Sequence, residues 1–379
     1  MGRRSPGVIR VALVHDLLLP RREEERVSRV MGGLYSGVSY AVIADPDYYA
    51  SIFPGRAPPV TSFIRRLPRA VELCAYYVPL FPLAVEQFDL REYDLVISDS
   101  HMVAKGVLTH ADQLHVCYCH MPVPCPWDVD YILRRKKRSN RFLRGLCRKS
   151  VIRYLRTWDV TSANRPDCYV TDSSYGAEHI AKWYGRVATV IRPPVDTEYF
   201  TLQEDKEEYY VTAGRPVAQQ KIDMIVRAFS RLPDKRLVVI GERSYLAGLK
   251  REAGRNVEFV DERSDGVLRR FLRKARAFVY AAVDGFGLLP ATANACGTPV
   301  IAYGREGIPE SIVENRSGLL YTEQTPEALI NAVERFEKKG SEWNPRSVRT
   351  CAMRFSKDRF AHAFKEYIEK VYRENGHST

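Results

Sequence analysis

The chain reads as an α/β protein made of two Rossmann-like, doubly wound parallel-sheet domains. Three observations carry that expectation. Short apolar runs rich in β-branched residues alternate with amphipathic stretches of helical period. The alternation occurs as two successive series, with a break near Pro193-Pro194 and the polar stretch 203–208. Polar or glycine-rich turns follow the strand-like runs, where sheets of this class bind ligands.

The first series has strand-like runs at 8–14, 40–43, 95–97, 113–119, 168–171 and 189–191, separated by helical stretches such as 27–35 and 173–184. The second has strands at 209–212, 236–240, 257–260, 277–280 and 298–303. Its helices are expected at 222–232, 245–255, 266–274, 288–295, 309–314 and 326–339. A terminal stretch from Ser356 to Glu374 opens on an N-cap residue and repeats Phe360, Phe364, Ile368 and Val371, one apolar helix face that needs a partner surface. The expected domains are 1–200 and 201–355, with 356–379 crossing back to the first, and their strand-end rims would face each other across a cleft.

At 379 residues the chain is long enough for two cores. Its net charge of +12 and pI near 9.3 point to an acidic partner. Eight cysteines at irregular spacing suggest a reducing cytosol rather than a disulfide framework. No apolar stretch reaches the roughly 20 residues that span a bilayer, so a cytoplasmic protein is expected, either soluble or peripheral on the inner face of the cell membrane. The run that starts at Arg134 and ends at Arg156 carries eleven Lys or Arg and no acid, with Phe142, Leu143, Leu146, Val151, Ile152 and Leu155 forming an apolar stripe. Such a helix suits an anionic membrane surface; the alternative is a solvated helix packing its stripe on its own domain. With only Phe142 and Tyr154 as aromatics, it lacks the stacking pattern of a nucleic-acid binder.

Seven strand-end turns hold the candidate chemistry: His15-Asp16, 99–101 (Asp-Ser-His), His120, 172–174 (Asp-Ser-Ser), Gly214-Arg215, 284–287 (Asp-Gly-Phe-Gly) and 304–307 (Gly-Arg-Glu-Gly). One polar residue there is usually a turn former, whereas seven such turns indicate a site. Cys117, Cys119, His120 and Cys125 match no common zinc spacing and are expected to be buried thiols, and no ligand set demands a metal. His110 and His115 read as surface or packing residues, and Tyr76, Tyr77, Phe81 and Phe88 as core filling.

With these residues in view, the chain resembles family 4 retaining glycosyltransferases of the GT-B fold, nearest the mannosyltransferases of polysaccharide and lipid-linked oligosaccharide synthesis. The resemblance rests on YDLVISDSHMVAKGVLT (93–109), CYCHMP (117–122) with Trp127-Asp128, VIRPPVDTEYF (190–200) and FGLLPATANACGTPVIAYG (286–304). It implies a nucleotide sugar held by the second domain and a glycan or polyprenyl-linked acceptor held by the first. It also implies that no metal is required, because fixed cations and backbone amides neutralise the departing diphosphate.

Matched position by position, His120 stands where the family's histidine contacts the sugar, and Arg215 where its diphosphate-binding arginine sits. The following lysine is replaced by Gln220, with Lys221 adjacent. The paired glutamates are replaced by Asp284 and Thr292. The rest of the implied donor pocket is Gly214, Gly241, Val260, Phe286, Gly287 and Leu288. The loop after the first strand reads Arg22-Glu23-Glu24-Glu25-Arg26 in place of Arg-Gly-Gly-Glu-Lys, losing two glycines and adding carboxylates that repel a diphosphate by on the order of 1 kcal/mol per close pair. Gly241-Glu242-Arg243-Ser244 likewise departs from Gly-Asp-Gly-Pro. Two readings stay open. One is a transferase moving a hexose, mannose from GDP-mannose being the first choice, to a lipid-linked or polysaccharide acceptor. The other is a pseudo-glycosyltransferase retained as a binding or regulatory subunit of a related transferase.

Overall fold

The computed structural model describes residues 9–20, 25–122, 141–214, 220–262 and 264–376. The chain divides into two units, one of Met1–Ile191 with Ala361–Thr379 and one of Arg192–Phe360. Among the described residues each unit has one all-parallel sheet. In the first, β1 (Val11–Leu18), β2 (Val38–Ala44), β3 (Val60–Thr61), β4 (Leu95–Ser100), β5 (Leu114–Cys119), β6 (Cys168–Thr171) and β7 (Ala188–Val190) lie in the order β3-β2-β1-β4-β5-β6-β7. In the second, β8 (Glu207–Ala213), β9 (Arg236–Ile240), β10 (Val257–Val260), β11 (Ala275–Tyr280), β12 (Val300–Tyr303) and β13 (Gly318–Tyr321) lie in the order β10-β9-β8-β11-β12-β13. Strands covered on both faces read as continuous apolar runs, and β1, β4, β5, β9 and β11 are buried almost throughout.

The two-sheet expectation holds, while several boundaries move. The first strand, expected to end at Val14, continues as β1 to Leu18. It pairs with β2 as far as Leu18↔Ala44, so His15 and Asp16 lie inside the strand rather than after it. The fourth strand likewise runs on through Asp99 and Ser100. The helix expected at 245–255 is Arg243–Leu249, and the one expected at 309–314 is the single turn Ile308–Ser311. The expected strand at 298–303 starts only at Val300, because Thr298 turns its hydroxyl onto the Leu272 carbonyl and Pro299 has no N–H to offer a ladder. The very short strands β3 and β13 are additions to the expected set.

The expected break at 200 falls instead after Ile191, since Val195 and Phe200 are buried in the second unit's core with Phe355, and Val195 bridges Ser356. The last helix, Lys357–Glu374, follows Ser356, whose carbonyl accepts the Phe360 N–H at 3.1 Å. From Ala361 onward this helix belongs to the first unit, where Phe364 meets Tyr35 and Tyr118 edge-on and Ile368 and Val371 are buried.

The helix Arg141–Ser162 takes up the basic run from Arg141 and continues six residues past its end, and residues 134–140 lie outside the described residues. Leu155 is buried and Val151 and Trp158 pack on the first unit's core, while Lys149, Arg153, Tyr154 and Arg156 are exposed. Val151 and Leu155 of the stripe therefore pack on their own unit, and the side chains of Phe142, Leu143 and Leu146 lie outside the described residues. Phe81 and Phe88 are core residues as expected, whereas Tyr76 is exposed. Among the described residues no helix is long and apolar enough to cross a membrane.

A buried ion pair pins this helix. Lys105 is fully buried, with Nζ 2.7 Å from Asp159 Oδ1 and 3.1 Å from Ser162 Oγ, and the Tyr184 hydroxyl donates to the same carboxylate. Breaking one side of such a pair leaves a buried charge without its counterion. Lys105→Met should destabilise the protein by about 3–5 kcal/mol in urea unfolding, and Lys105→Met with Asp159→Leu should recover most of that loss. A single variant as stable as wild type would mean the pair does not hold the helix.

Candidate functional site

In a doubly wound sheet, ligands bind beyond the carboxyl ends of the strands, where strand order reverses. That switch lies between β1 and β4 in the first unit and between β8 and β11 in the second. Both switch points collect residues singled out from the sequence.

In the first unit the parallel register sets His15 level with Asp99, and Asp99 level with Tyr118. His120 therefore emerges beside Asp99, with Nε2 2.7 Å from Asp99 Oδ1. Its other ring nitrogen, Nδ1, is 3.6 Å from Asp172 Oδ2, just past β6. The His101 ring stacks on His120, with centroids 3.6 Å apart and planes 11° from parallel, and Tyr118 meets it edge-on at 5.0 Å. The second Asp99 oxygen accepts the Ser28 hydroxyl and lies 3.7 Å from His15 Nδ1. All these side chains except that of His101 are buried.

Asp16 organises the turn that carries His101. Its carboxylate accepts four consecutive backbone N–H groups, from His101, Met102, Val103 and Ala104, at 2.6 to 2.7 Å. One oxygen takes the first two amides and the other takes the next two. This turns the chain sharply after β4 and presents His101 to His120.

Burial alone would raise the Asp99 carboxyl and lower the His120 ring. Mutual attraction wins in both: Asp99 is held well below the usual carboxylate range, and His120 is pushed up to about 10 by Asp99 and Asp172. His120 is therefore an imidazolium at neutral pH. Asp99, His101 and His120 each place one donor atom within 4.8 Å of the others, as a metal site would. The imidazole planes are stacked, however, so their in-plane lone pairs are parallel rather than convergent, and a common ion fits poorly.

In the second unit the implied donor residues line successive strand ends. Gly214 follows β8, and a Cβ there would lie 1.9 Å from Gln220 Oε1, so the Gln220 amide occupies the space over this glycine. Lys221 adopts the left-handed conformation at φ 49° just before the helix Ile222–Ser230, which is uncommon for a residue with a side chain. Gly241 follows β9 and donates its N–H to Val260 O at 3.2 Å. Past β11, the Asp284 carboxylate accepts the Tyr280 hydroxyl at 2.9 Å, and its backbone carbonyl accepts the Gly307 N–H at 3.1 Å. Phe286 is buried edge-on against Phe355. Gly287 has φ 85°, and a Cβ there would meet Ser311 Oγ at 2.7 Å; Leu288 then opens the helix Leu288–Ala295. Thr292 is fully buried and bonds its hydroxyl to Leu288 O at 2.8 Å, so its side chain faces the interior.

Arg215, Arg22, Glu23, Glu24, Cys125, Trp127 and Asp128 lie outside the described residues, as does the Glu25 side chain. Cys117 and Cys119 are buried free thiols, and His115 is buried against Ser98, its ring pushed down to about 3 by burial. Ser28 is a site residue that the sequence does not single out. Its place on a helix of ordinary amphipathic pattern gives no sign that it reaches Asp99.

The charge of His120 sets a pH dependence. A folded value near 10 against about 6.5 unfolded means its stabilisation is complete below about pH 6.5 and is lost as pH rises toward 10. Wild type should lose stability across that window in chemical denaturation at stepped pH, and His120→Gln should flatten the slope. An unchanged slope in the variant would remove His120 as its source.

Residues 196–348 match the family described as Glycosyl transferases group 1. The D-inositol 3-phosphate glycosyltransferase of Mycobacteroides abscessus is 30% identical over 191 residues, covering 43% of this chain and 42% of that protein. The GDP-mannose-dependent alpha-(1-6)-phosphatidylinositol monomannoside mannosyltransferase of Mycolicibacterium smegmatis is 28% identical over 201 residues, 45% of this chain and 53% of that one. The chain thus spans about half the length of the curated relatives it matches. Among solved structures, Anabaena HepE in complex with UDP superposes with a TM-score of 0.69 at 14% identity, over 96% of this chain and 100% of that one. Sucrose-phosphate synthase from Thermosynechococcus elongatus gives 0.69 at 16% identity, over 97% and 100%. At these identities the likeness is one of fold. Residues 196–348 thus match the glycosyl transferases group 1 model, in a chain with the GT-B fold.

Proposed function

We propose that this chain is a retaining glycosyltransferase that moves a hexose, most simply mannose from GDP-mannose, onto a glycan or polyprenyl-linked acceptor. The observation that carries the reading is that both switch points are furnished for it. The first unit's holds a buried cluster of hydrogen-bonding His and Asp side chains, suited to sugar hydroxyls. The second unit's brings the start of the helix Leu288–Ala295 to a strand end, where the first backbone N–H groups of a helix suit a diphosphate. The GDP-mannose dependence stated for the Mycolicibacterium relative supports the choice of donor.

Arg215 and Lys221 are the cations assigned to the diphosphate, and Asp284 the carboxylate assigned to the donor sugar. The reaction requires charge on the departing nucleoside diphosphate to be met by fixed donors, with no metal needed where these suffice. The exposed Lys149, Arg153 and Arg156 suit a cytoplasmic protein resting on an anionic inner-leaflet surface near its acceptor.

Two observations favour the second reading, a pseudo-transferase acting as partner subunit of a related transferase. Gln220 stands where a cation is expected, and the buried Thr292 cannot offer a ribose carboxylate. Calorimetric titration of the purified chain with GDP-mannose, UDP-glucose and GDP separates the two. Micromolar binding of a guanosine nucleotide supports the transferase, and silence across the panel supports the partner subunit.

Gln220→Lys adds a cation beside Gly214 and should tighten GDP binding several-fold, by about 1 kcal/mol, with the gain shrinking as salt is raised. A salt-independent gain, or none in a folded variant, would remove Gln220 from the diphosphate site.

A further inference from the structure

Residues 74–85 of the first unit form one helical run, made of Cys74–Tyr77, the tight turn Val78–Leu80 and Phe81–Val85. Its inner side completes the core with Val78, Phe81, Ala84 and Val85. Its outer side is bare. Leu80 and Leu83, one turn apart, are 37% and 51% exposed, and Tyr76 one turn earlier is exposed as well. A single exposed leucine needs no explanation, whereas a row of large apolar side chains along one helix face marks a contact surface.

Two basic segments are tied to this run. On one, the Tyr77 hydroxyl donates to the Pro68 carbonyl at 2.9 Å, and Leu67 and Val71 pack on the same core. That segment carries Arg65 and Arg66, both exposed and without an ion-pair partner among the described residues. Within residues 63–85 the one acid is Glu72, and it is paired with Arg69 at 3.2 Å. At the other end, Glu86 accepts the Trp158 indole N–H at 2.8 Å and pairs with Arg165 at 2.6 Å. This fastens the run beside the helix Arg141–Ser162, where Tyr154 is exposed one turn before Trp158, and Lys149, Arg153 and Arg156 are exposed with it.

We propose that Leu80 and Leu83 insert into the acyl boundary of an anionic bilayer, while Arg65 and Arg66 on one tied segment, and Lys149, Arg153 and Arg156 on the other, meet its headgroups. This deepens the inner-leaflet contact put forward above and rests on it, and it is independent of the donor chemistry. Two leucines give only weak insertion and a few cations only weak adsorption, so it is their combination that binds. A single lipid tail or a peptide would need concave apolar walls, and these leucines stand on the outer side of a helix. A second copy applying the same surface would bring like charges together. A nucleic acid would meet the cations and leave the leucines bare.

The test uses the full chain and needs neither donor nor acceptor. In flotation, wild type should bind vesicles of phosphatidylcholine with about 30% phosphatidylglycerol at least tenfold better than pure phosphatidylcholine. Leu80→Asp with Leu83→Asp should lower that binding about tenfold or more, with an unchanged urea midpoint because both side chains are exposed. Arg153→Glu with Arg156→Glu should lower it as well. Leu83→Trp should shift its emission to the blue on anionic vesicles and be quenched by lipids brominated on the acyl chains, relative to wild type.

A leucine-pair variant that binds anionic vesicles as wild type does overturns the insertion, and if the basic-pair variant alone loses binding, the contact is one of headgroups only. Leu83→Trp that binds without quenching overturns it too, and decides the matter should the leucine-pair variant fail to fold. Loss of a wild-type oligomer in sedimentation on Leu80→Asp with Leu83→Asp would make the stripe a contact between copies and end the proposal. Wild type that ignores anionic vesicles removes both the insertion and the inner-leaflet contact, while the transfer reading is still judged by nucleotide titration.

Discussion

The four amides gathered by the Asp16 carboxylate are the constraint on which the first unit's site depends. Four consecutive N–H groups cannot be satisfied by sheet or helix where the chain leaves β4, and a buried turn with orphaned donors would be costly. Placing one carboxylate on the adjacent strand satisfies all four and fixes the path of the chain beyond β4. The turn positions His101 against His120 on one side and delivers Lys105 into its buried pair with Asp159 on the other. A single side chain from β1 thereby links the His–Asp cluster to the packing of the long helix Arg141–Ser162.

The two switch points differ in chemistry. The first is rich in short hydrogen-bonding side chains, with His120 set between the Asp99 and Asp172 carboxylates. The second is made largely of backbone, a helix start at Leu288 and glycines whose open side is filled by neighbouring side chains, Gln220 over Gly214 and Ser311 beside Gly287. Where the second site departs from what the motifs imply, at Gln220 and Thr292, the side chains are engaged locally. Gln220 lies over Gly214, and Thr292 turns back on its own helix.

The sheet architecture is legible in the sequence because parallel strands buried on both faces must be continuously apolar, a pattern visible without any structural knowledge. Strand ends are less legible. His15, Asp16, Asp99 and Ser100 look like turn residues, yet neighbouring strands hold them extended. The motif identifies the histidine at 120 but not its protonation. That depends on Asp99 and Asp172, which are distant in sequence and meet only through the register of β4, β5 and β6. Ser28 is invisible for the same reason. The basic run shows its helical period in the sequence, and its described apolar residues Val151, Leu155 and Trp158 pack with the first unit's core.

The central claim, that this chain transfers a hexose from a sugar nucleotide, is met most directly by a transfer assay. Purified protein would be incubated with GDP-mannose labelled in the sugar and with a membrane lipid extract. The account predicts GDP release matched by label entering the lipid fraction, and loss of both in His120→Ala. Absence of acceptor-dependent GDP release and of label transfer, by folded protein across guanosine and uridine donors, would contradict it.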